Sequence, residues 1–188
     1  MNLSNYLKQE IQLPDDTIQL LDSLCDYEEL PKGYQLLKEG SLSKKVVFIE
    51  KGLLRLYYIK DGKEITHHFF TENNLYVPIE NVFLTEFYPY SLELLEDSVI
   101  RTVDFTTIEQ YLDENVKLQR FFRHIAVSVI KQLADRLHSL QFQSAQERYH
   151  ILLKNHPTIL LRAPLGHIAS YLGITQSTLS VIRSEKSK

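Results

Sequence analysis

The spacing of apolar residues divides the chain into a strand-rich middle and a helical rear. Residues 15–27 carry apolar positions near helical spacing, which predicts a short helix ahead of the strands. From residue 28 to residue 105, short runs of β-branched and aromatic residues alternate with glycines. Strands separated by turns about every 8–12 residues are typical of an antiparallel sandwich, roll or barrel.

One hairpin in the strand-rich part is specified by its turn. Asp61 and Gly62 stand between two strand-like segments, and an Asp-Gly pair tolerates the positive φ angles of a type I′ turn. The sequence therefore predicts that residues 53–59 pair with residues 64–70.

A long helix is predicted over residues 115–142, because no Pro or Gly occurs between residues 114 and 156. Its main apolar stripe consists of Leu118, Phe122, Ile125, Val129, Leu133, Leu137 and Leu140, and Phe121, Val127, Ile130 and Ala134 add a second flank. Two apolar flanks favour two partners, the chain's own β-domain and the same helix of a second subunit. The alternative is one buried helix in a monomer. The residues expected at the dimer contact are Leu118, Phe122, Ile125, Val129 and Leu133.

The rear of the chain has the pattern of a helix-turn-helix. Ser144 and Glu147 have the spacing of a capping box, which predicts a helix from residue 145 to about residue 155. Further on, Gly173 suits a tight turn between two helices, and Thr175 suits the N-cap of the second helix. In such a motif the second helix enters the major groove of DNA, whereas the alternative is an ordinary αα-hairpin. We expect two domains, residues 1–143 and 144–188.

Charge is distributed unevenly, although the net charge is only −3. Residues 1–113 hold 10 Lys and Arg against 20 Asp and Glu, whereas residues 114–188 hold 11 against 4. An acidic front and a basic rear favour different partners for the two parts, unless the asymmetry is incidental. No apolar run approaches the ~20 residues of a membrane span, and the N-terminus lacks the apolar core of a signal peptide. We therefore expect a cytoplasmic protein with no membrane partner.

Residues 28–188 resemble the Crp/Fnr family of transcription regulators, most strongly at FIEKGLLRLYY, DGKE, AQERY and HIASYLGIT. The rear part is similar to a short-tailed subgroup common in Bacteroidetes-type bacteria. The resemblance implies an α+β fold: an antiparallel β-roll of the cyclic-nucleotide-binding type, a long dimerisation helix and a C-terminal helix-turn-helix domain. It also implies a homodimer that binds double-stranded DNA, responds to an unknown small-molecule effector and contacts RNA polymerase if it is an activator.

The chain departs from this family at the site for a cyclic nucleotide. Members that bind one carry a Gly-Glu-Leu turn and an Arg before a Ser or Thr, which together hold the phosphate. Here Ser91 matches, but Tyr90 stands where the Arg would be and several carboxylates surround it. We therefore expect no tight binding of cAMP or cGMP. The candidate residues of a polar ligand pocket are Glu80, Tyr88, Tyr90 and Ser91, with solvated loop residues as the alternative.

The second helix of the predicted motif also departs from the family pattern. Ser177 and Val181 stand where a base-reading Glu and Arg are common. At 100° of rotation per residue, four side chains fall on the outward-facing arc of this helix. They are the candidates for base readout: Gln176, Ser177, Ser180 and Val181. The candidates for contact with the DNA backbone are Arg162, Thr175, Arg183, Lys186 and Lys188. Because the centre of the arc holds no Arg for guanine, the core of each half-site is expected to favour A·T pairs.

Nothing in the sequence supports an enzyme, a cofactor or a metal. His67 and His68 are adjacent, and neighbouring residues of a strand point to opposite faces, so the pair is not expected to chelate an ion. The single cysteine, Cys25, excludes an iron–sulfur cluster held by several cysteines. Two alternatives stay open: a sensor or protein-interaction module that no longer binds DNA specifically, and a metal-dependent β-roll enzyme.

Overall fold

The strand-rich part of the chain forms two antiparallel sheets of four strands each. The computed structural model describes residues 1–84, 86–87 and 89–185, without the side chain of Glu185. One sheet has the strand order β1-β8-β3-β6 and the other β2-β7-β4-β5. The strands are β1 Asp26–Leu30, β2 Gln35–Leu37, β3 Lys45–Lys51, β4 Leu54–Lys60, β5 Lys63–Phe70, β6 Leu75–Tyr76, β7 Ser91–Leu94 and β8 Ser98–Asp104. Together they form the β-roll that the sequence predicts.

Helices flank the roll at both ends of the chain. They are α1 Leu3–Gln9, α2 Asp15–Leu24, α3 Phe105–Leu112, α4 Val116–Phe142, α5 Ala145–Asn155, α6 Ile159–Arg162, α7 Leu165–Leu172 and α8 Gln176–Glu185, with a π-helical turn at Glu80–Leu84. The predicted long helix is confirmed as α4, while α1, α3, α6 and the π-helical turn were not predicted. Among the described helices, none has both the length and the hydropathy needed to cross a bilayer.

The predicted hairpin and capping box are both present. Strand β4 pairs with β5 across Asp61 and Gly62, whose φ angles of 52° and 72° are those of a type I′ turn. At the start of α5, the hydroxyl of Ser144 accepts from the backbone N–H of Glu147 at 3.2 Å, and the Glu147 carboxylate accepts from the Ser144 N–H at 2.7 Å. Both features depend on residues close together in sequence, which explains why they could be predicted.

The long helix α4 divides its apolar stripe between two surroundings. Leu118 and Phe121 are buried in a core that α4 shares with α1, α2, α3 and the roll, and Phe122 and Ile125 pack partly against it. Leu118, one of the expected dimer contacts, therefore belongs to the core of its own subunit. Towards the C-terminus, Leu133, Leu137 and Leu140 of the stripe are exposed, together with Val127 and Ile130 of the second flank.

The rear helices pack on the outer face of the roll rather than standing apart from it. One cluster of buried residues joins Leu53, Phe69 and Leu95 of the roll to the cores of α5, α6, α7 and α8. A second cluster fills the space between the two sheets. The rear helices thus share a continuous core with the sheet that contains β4 and β5.

Candidate functional site

Helices α7 and α8 meet at a tight turn. Gly173 ends α7 with a φ of 68°, a left-handed conformation that glycine adopts without steric cost. The hydroxyl of Thr175 accepts from the backbone N–H of Thr178 at 3.1 Å, so Thr175 is the N-cap that the sequence predicts for α8. Leu179 and Ile182 turn inward and are buried. The two helices form one unit, which we call the α7–α8 pair.

The outward face of α8 carries small or polar side chains and is accessible to solvent. Gln176, Ser177, Ser180 and Val181 are all exposed, as the arc of the predicted helix requires, and Val181 keeps 56% of its surface. Arg183 is exposed at the rim of the same face. Of the other predicted contacts to the DNA backbone, Thr175 is exposed beside the helix start, and Lys186 and Lys188 lie outside the described residues.

Arg162 is held by two carboxylates of the roll. Its Nη2 donates to Glu72 and to Glu96 at 2.7 Å each, while Nη1 donates to Glu72 at 3.0 Å and Nε to Glu96 at 3.2 Å. These bonds raise the pKa of Arg162 above its usual value, Glu96 contributing most, against the opposing effect of burial. In this conformation the guanidinium is thus bound to the roll, although the sequence suggested a contact with DNA.

A buried arginine of the roll contacts α7. Arg55 on β4 is 1% exposed; its Nη1 donates to Glu93 at 2.8 Å and forms an ion pair with Glu64 at 2.8 Å. The same nitrogen lies 2.9 Å from Nε2 of His167 on α7. Burial, and next the charge of Arg55, lowers the pKa of His167, which favours the neutral imidazole that can accept this hydrogen bond.

The backbone of strand β5 contributes a further link to α7. The N–H of Thr66 donates to the hydroxyl of Ser170 at 2.9 Å. Strand β5 lies at the edge of its sheet, so this N–H has no neighbouring strand on that side. The orientation of α7 relative to the roll is therefore set by Arg162, His167 and Ser170 together.

A cavity of about 480 Å³ opens where β5, residues 74–80, α4, α5 and the end of α7 meet. His67 and His68 both line it, which corrects the expectation that they point to opposite faces. The register of β5 against β4 shifts between Leu56↔His68 and Tyr57↔Thr66, leaving His67 unpaired as a β-bulge. A bulge interrupts the alternation of side chains, and so both imidazoles reach the same cavity.

The pKa values of His67 and His68 are both lowered, which favours the neutral form of each imidazole. Burial lowers the pKa of His68 to about 4, and burial together with the charge of Arg136 lowers the pKa of His67. Among the described residues, no three side chains of His, Cys, Asp or Glu are placed to hold a metal ion.

The structure does not bring all the described residues of the predicted ligand pocket into one cavity. Glu80 and Tyr90 line the cavity, and the ring of Tyr90 lies 4.9 Å from that of His67. The hydroxyl of Ser91 instead accepts from the backbone N–H of Glu39 at 3.1 Å, and Ser91 does not line the cavity. Tyr88 lies outside the described residues.

Comparison with known proteins agrees with this architecture. Residues 27–115 match the family of the cyclic nucleotide-binding domain. This segment runs from β1 to the residue before α4 and includes the whole roll except the first residue of β1. The chain has no significant match among curated protein sequences.

Solved structures extend the likeness to the rear helices. FixK2 from Bradyrhizobium japonicum is 18% identical with a TM-score of 0.75, over 86% of this chain and 83% of that one. A Crp/Fnr-family protein from Eubacterium rectale is 14% identical with a TM-score of 0.72, over 95% and 85%. The catabolite activator protein of Thermus thermophilus is 16% identical with a TM-score of 0.60, over 97% and 86%. The chain therefore has the fold of Crp/Fnr regulators.

Proposed function

We propose that this protein is a DNA-binding transcription regulator of the Crp/Fnr type that acts as a homodimer. The observation that carries the proposal is the α7–α8 pair, in which a glycine turn presents an exposed face of small polar residues on α8. A helix of this kind fits the major groove, where Gln can bind adenine and the methyl groups of Val can contact thymine.

The dimer is expected to form along the C-terminal half of α4. Ile130 keeps 66% of its surface exposed, and four more aliphatic residues share its face, so a continuous apolar strip is open to water. Such a strip on a long helix is stabilised by a second copy of the same helix. In the N-terminal half, Leu118 and Phe121 are not available for this contact, because they pack in the core of the chain itself.

Sedimentation of an Ile130→Glu variant tests the dimer. A buried, unpaired carboxylate costs about 3–5 kcal/mol, so dissociation constants should rise at least about a hundredfold. His124→Glu introduces the same side chain at an exposed position off the strip and should leave the dimer intact. An unmodified protein that sediments as a monomer at micromolar concentration would contradict the proposal.

Selection of duplexes from a random pool tests DNA binding. We expect a selected site with A·T pairs in each half-site core and an affinity that falls steeply with salt. Gln176→Ala should alter the preference at one base position of each half-site, and Arg183→Ala should weaken all sequences alike and reduce the salt slope by about one per subunit. If no duplex is bound, the rear helices serve protein contacts instead.

Arg162 can contribute to DNA binding only after a rearrangement. Its guanidinium is bound to Glu72 and Glu96 in the described conformation. We propose that release of this contact accompanies the change by which the roll controls the α7–α8 pair. If the protein activates transcription, we propose that it also contacts RNA polymerase.

A further inference from the structure

Two arginines in the cavity wall bind the last carbonyls of α7. Nη2 of Arg136 donates to the carbonyl of Tyr171, and the guanidinium lies 4.3 Å over the Tyr171 ring. Nε of Arg148 donates to the carbonyl of Leu172 at 3.0 Å, and its Nη1 to the carbonyl of Gln143 at 2.6 Å. Both side chains line the cavity. They stand directly before the glycine turn of the α7–α8 pair.

The positive charge of these arginines is not balanced by a carboxylate. Among the residues that the structure describes, no Asp or Glu forms an ion pair with Arg136 or Arg148. The C-terminal end of a helix supplies only about half a negative charge, against two guanidinium charges. The pKa of Arg136 lies below its usual value, first because the group is partly buried and also because Arg148 is near.

Two carboxylates also line the cavity, and among the described residues neither forms an ion pair with the arginines. Asp135 is bound to Lys131 at 2.6 Å on the exposed side of α4. Glu80 acts electrostatically on His67 and Tyr90, which line the cavity with it. The positive charge of Arg136 and Arg148 is thus not neutralised by direct contact and stays available to a ligand in the cavity, while Glu80 is an opposing charge beside His67 and Tyr90.

Much of the remaining wall is apolar or neutral. Leu75, Val77 and Ile79 contribute aliphatic surface from the roll, and Leu133 contributes it from α4. The neutral imidazoles add polar atoms without charge, and Nδ1 of His67 is buried with no hydrogen-bond partner among the described residues. The cavity thus offers one cationic wall and an extended apolar surface.

We propose that the cavity binds a small organic oxyanion with an apolar body, its carboxylate or phosphate group on Arg136 and Arg148. The anionic group lies on α4 and α5, not at Tyr90 and Ser91, where the sequence led us to look for a pocket. A bound oxyanion shares the two guanidinium groups with the carbonyls of Tyr171 and Leu172 and draws their positive charge away from the end of α7. Binding therefore loosens or re-aims the end of α7, and this consequence alone rests on the proposed DNA-binding function.

Calorimetry on the full chain without DNA tests the ligand class with three probes that share one aromatic body. These are 1-naphthylacetate, 1-naphthyl phosphate and the neutral 1-naphthylacetamide. Because charge-assisted hydrogen bonds are roughly twice as strong as neutral ones, at least one anion should bind about tenfold or more tightly than the amide. The anion that binds identifies the preferred head group. Equal binding of all three probes, or no binding of either anion, overturns the proposal.

Variants assign the binding to the arginine pair. Arg136→Met and Arg148→Met should each weaken the binding of the anion about tenfold or more and leave the amide unchanged. Arg136→Lys retains the charge and should recover most of the affinity, which also shows that the loss is not misfolding. The Arg120→Met variant changes an exposed arginine of α4 outside the cavity and should bind all probes as the unmodified protein does. Methionine variants that keep full affinity for the anions contradict the assignment, whether or not the protein binds DNA.

Discussion

Replacing Arg162 with Met should weaken the attachment of the rear helices to the roll and lower the free energy of unfolding. The change removes four hydrogen bonds to Glu72 and Glu96 and leaves two carboxylates that shared one guanidinium nitrogen. Removing one partner of a fully buried ion pair costs about 3–5 kcal/mol. Here the Arg162 side chain is 19% exposed and the carboxylates 34% and 33%, so water screens part of the interaction. We therefore expect a loss of about 2–3 kcal/mol.

Thermal and urea unfolding followed by circular dichroism measure this loss. For a chain of this size, about 2–3 kcal/mol corresponds to a fall in Tm of roughly 5–10 °C. Arg183→Met is the matched control, because Arg183 is exposed and surface substitutions usually change stability by less than about 0.5 kcal/mol. An Arg162→Met protein as stable as this control would refute the reasoning.

The pH dependence distinguishes an ion pair from simple packing. The pKa of Glu72 lies below its ordinary value of 4.5: burial raises it, but hydrogen bonds from Arg162 and from the Gly52 N–H outweigh that effect. A carboxyl with a depressed pKa stabilises the fold fully above its unfolded-state pKa and loses this contribution as the pH falls through its folded-state pKa. The difference in unfolding free energy between the unmodified and Arg162→Met proteins should thus be constant near neutrality and shrink below about pH 4.5. A difference unaffected by acid would show that the contact is not ionic.

Three further predictions concern the caps, the turn and the roll. Ser144→Ala should destabilise the protein by about 1 kcal/mol in urea unfolding, since it removes a helix cap. Ser144→Thr should keep most of the stability, because threonine can also cap a helix. Gly173→Ala should cost about 1–2 kcal/mol, because alanine is strained at positive φ, and Gly166→Ala, at a helical glycine, serves as its control. Calorimetry should show no low-micromolar binding of cAMP or cGMP, since the resemblance places Tyr90 where nucleotide-binding members have the arginine for the phosphate; such binding would contradict our interpretation of this site.

Elements that depend on neighbouring residues could be predicted from the sequence. The Asp61-Gly62 turn, the capping box at Ser144 and the turn at Gly173 each need a particular residue type within a few positions, and all three are present. The long helix follows for the same reason, because its apolar period repeats over several turns. The exposure of the outward face of α8 is also a consequence of helical geometry alone.

Contacts between distant parts of the chain were decided only by the tertiary structure. The partners of Arg162 lie 66 and 90 residues away along the chain. Nothing in the sequence around an arginine indicates which carboxylates it will contact. The bulge at His67 depends on the register of β5 against β4, so alternation alone misplaced one histidine. The cavity and its arginine wall combine the roll with α4, α5 and α7. Local propensity acts over one or two turns, whereas these features arise from how the finished elements pack together.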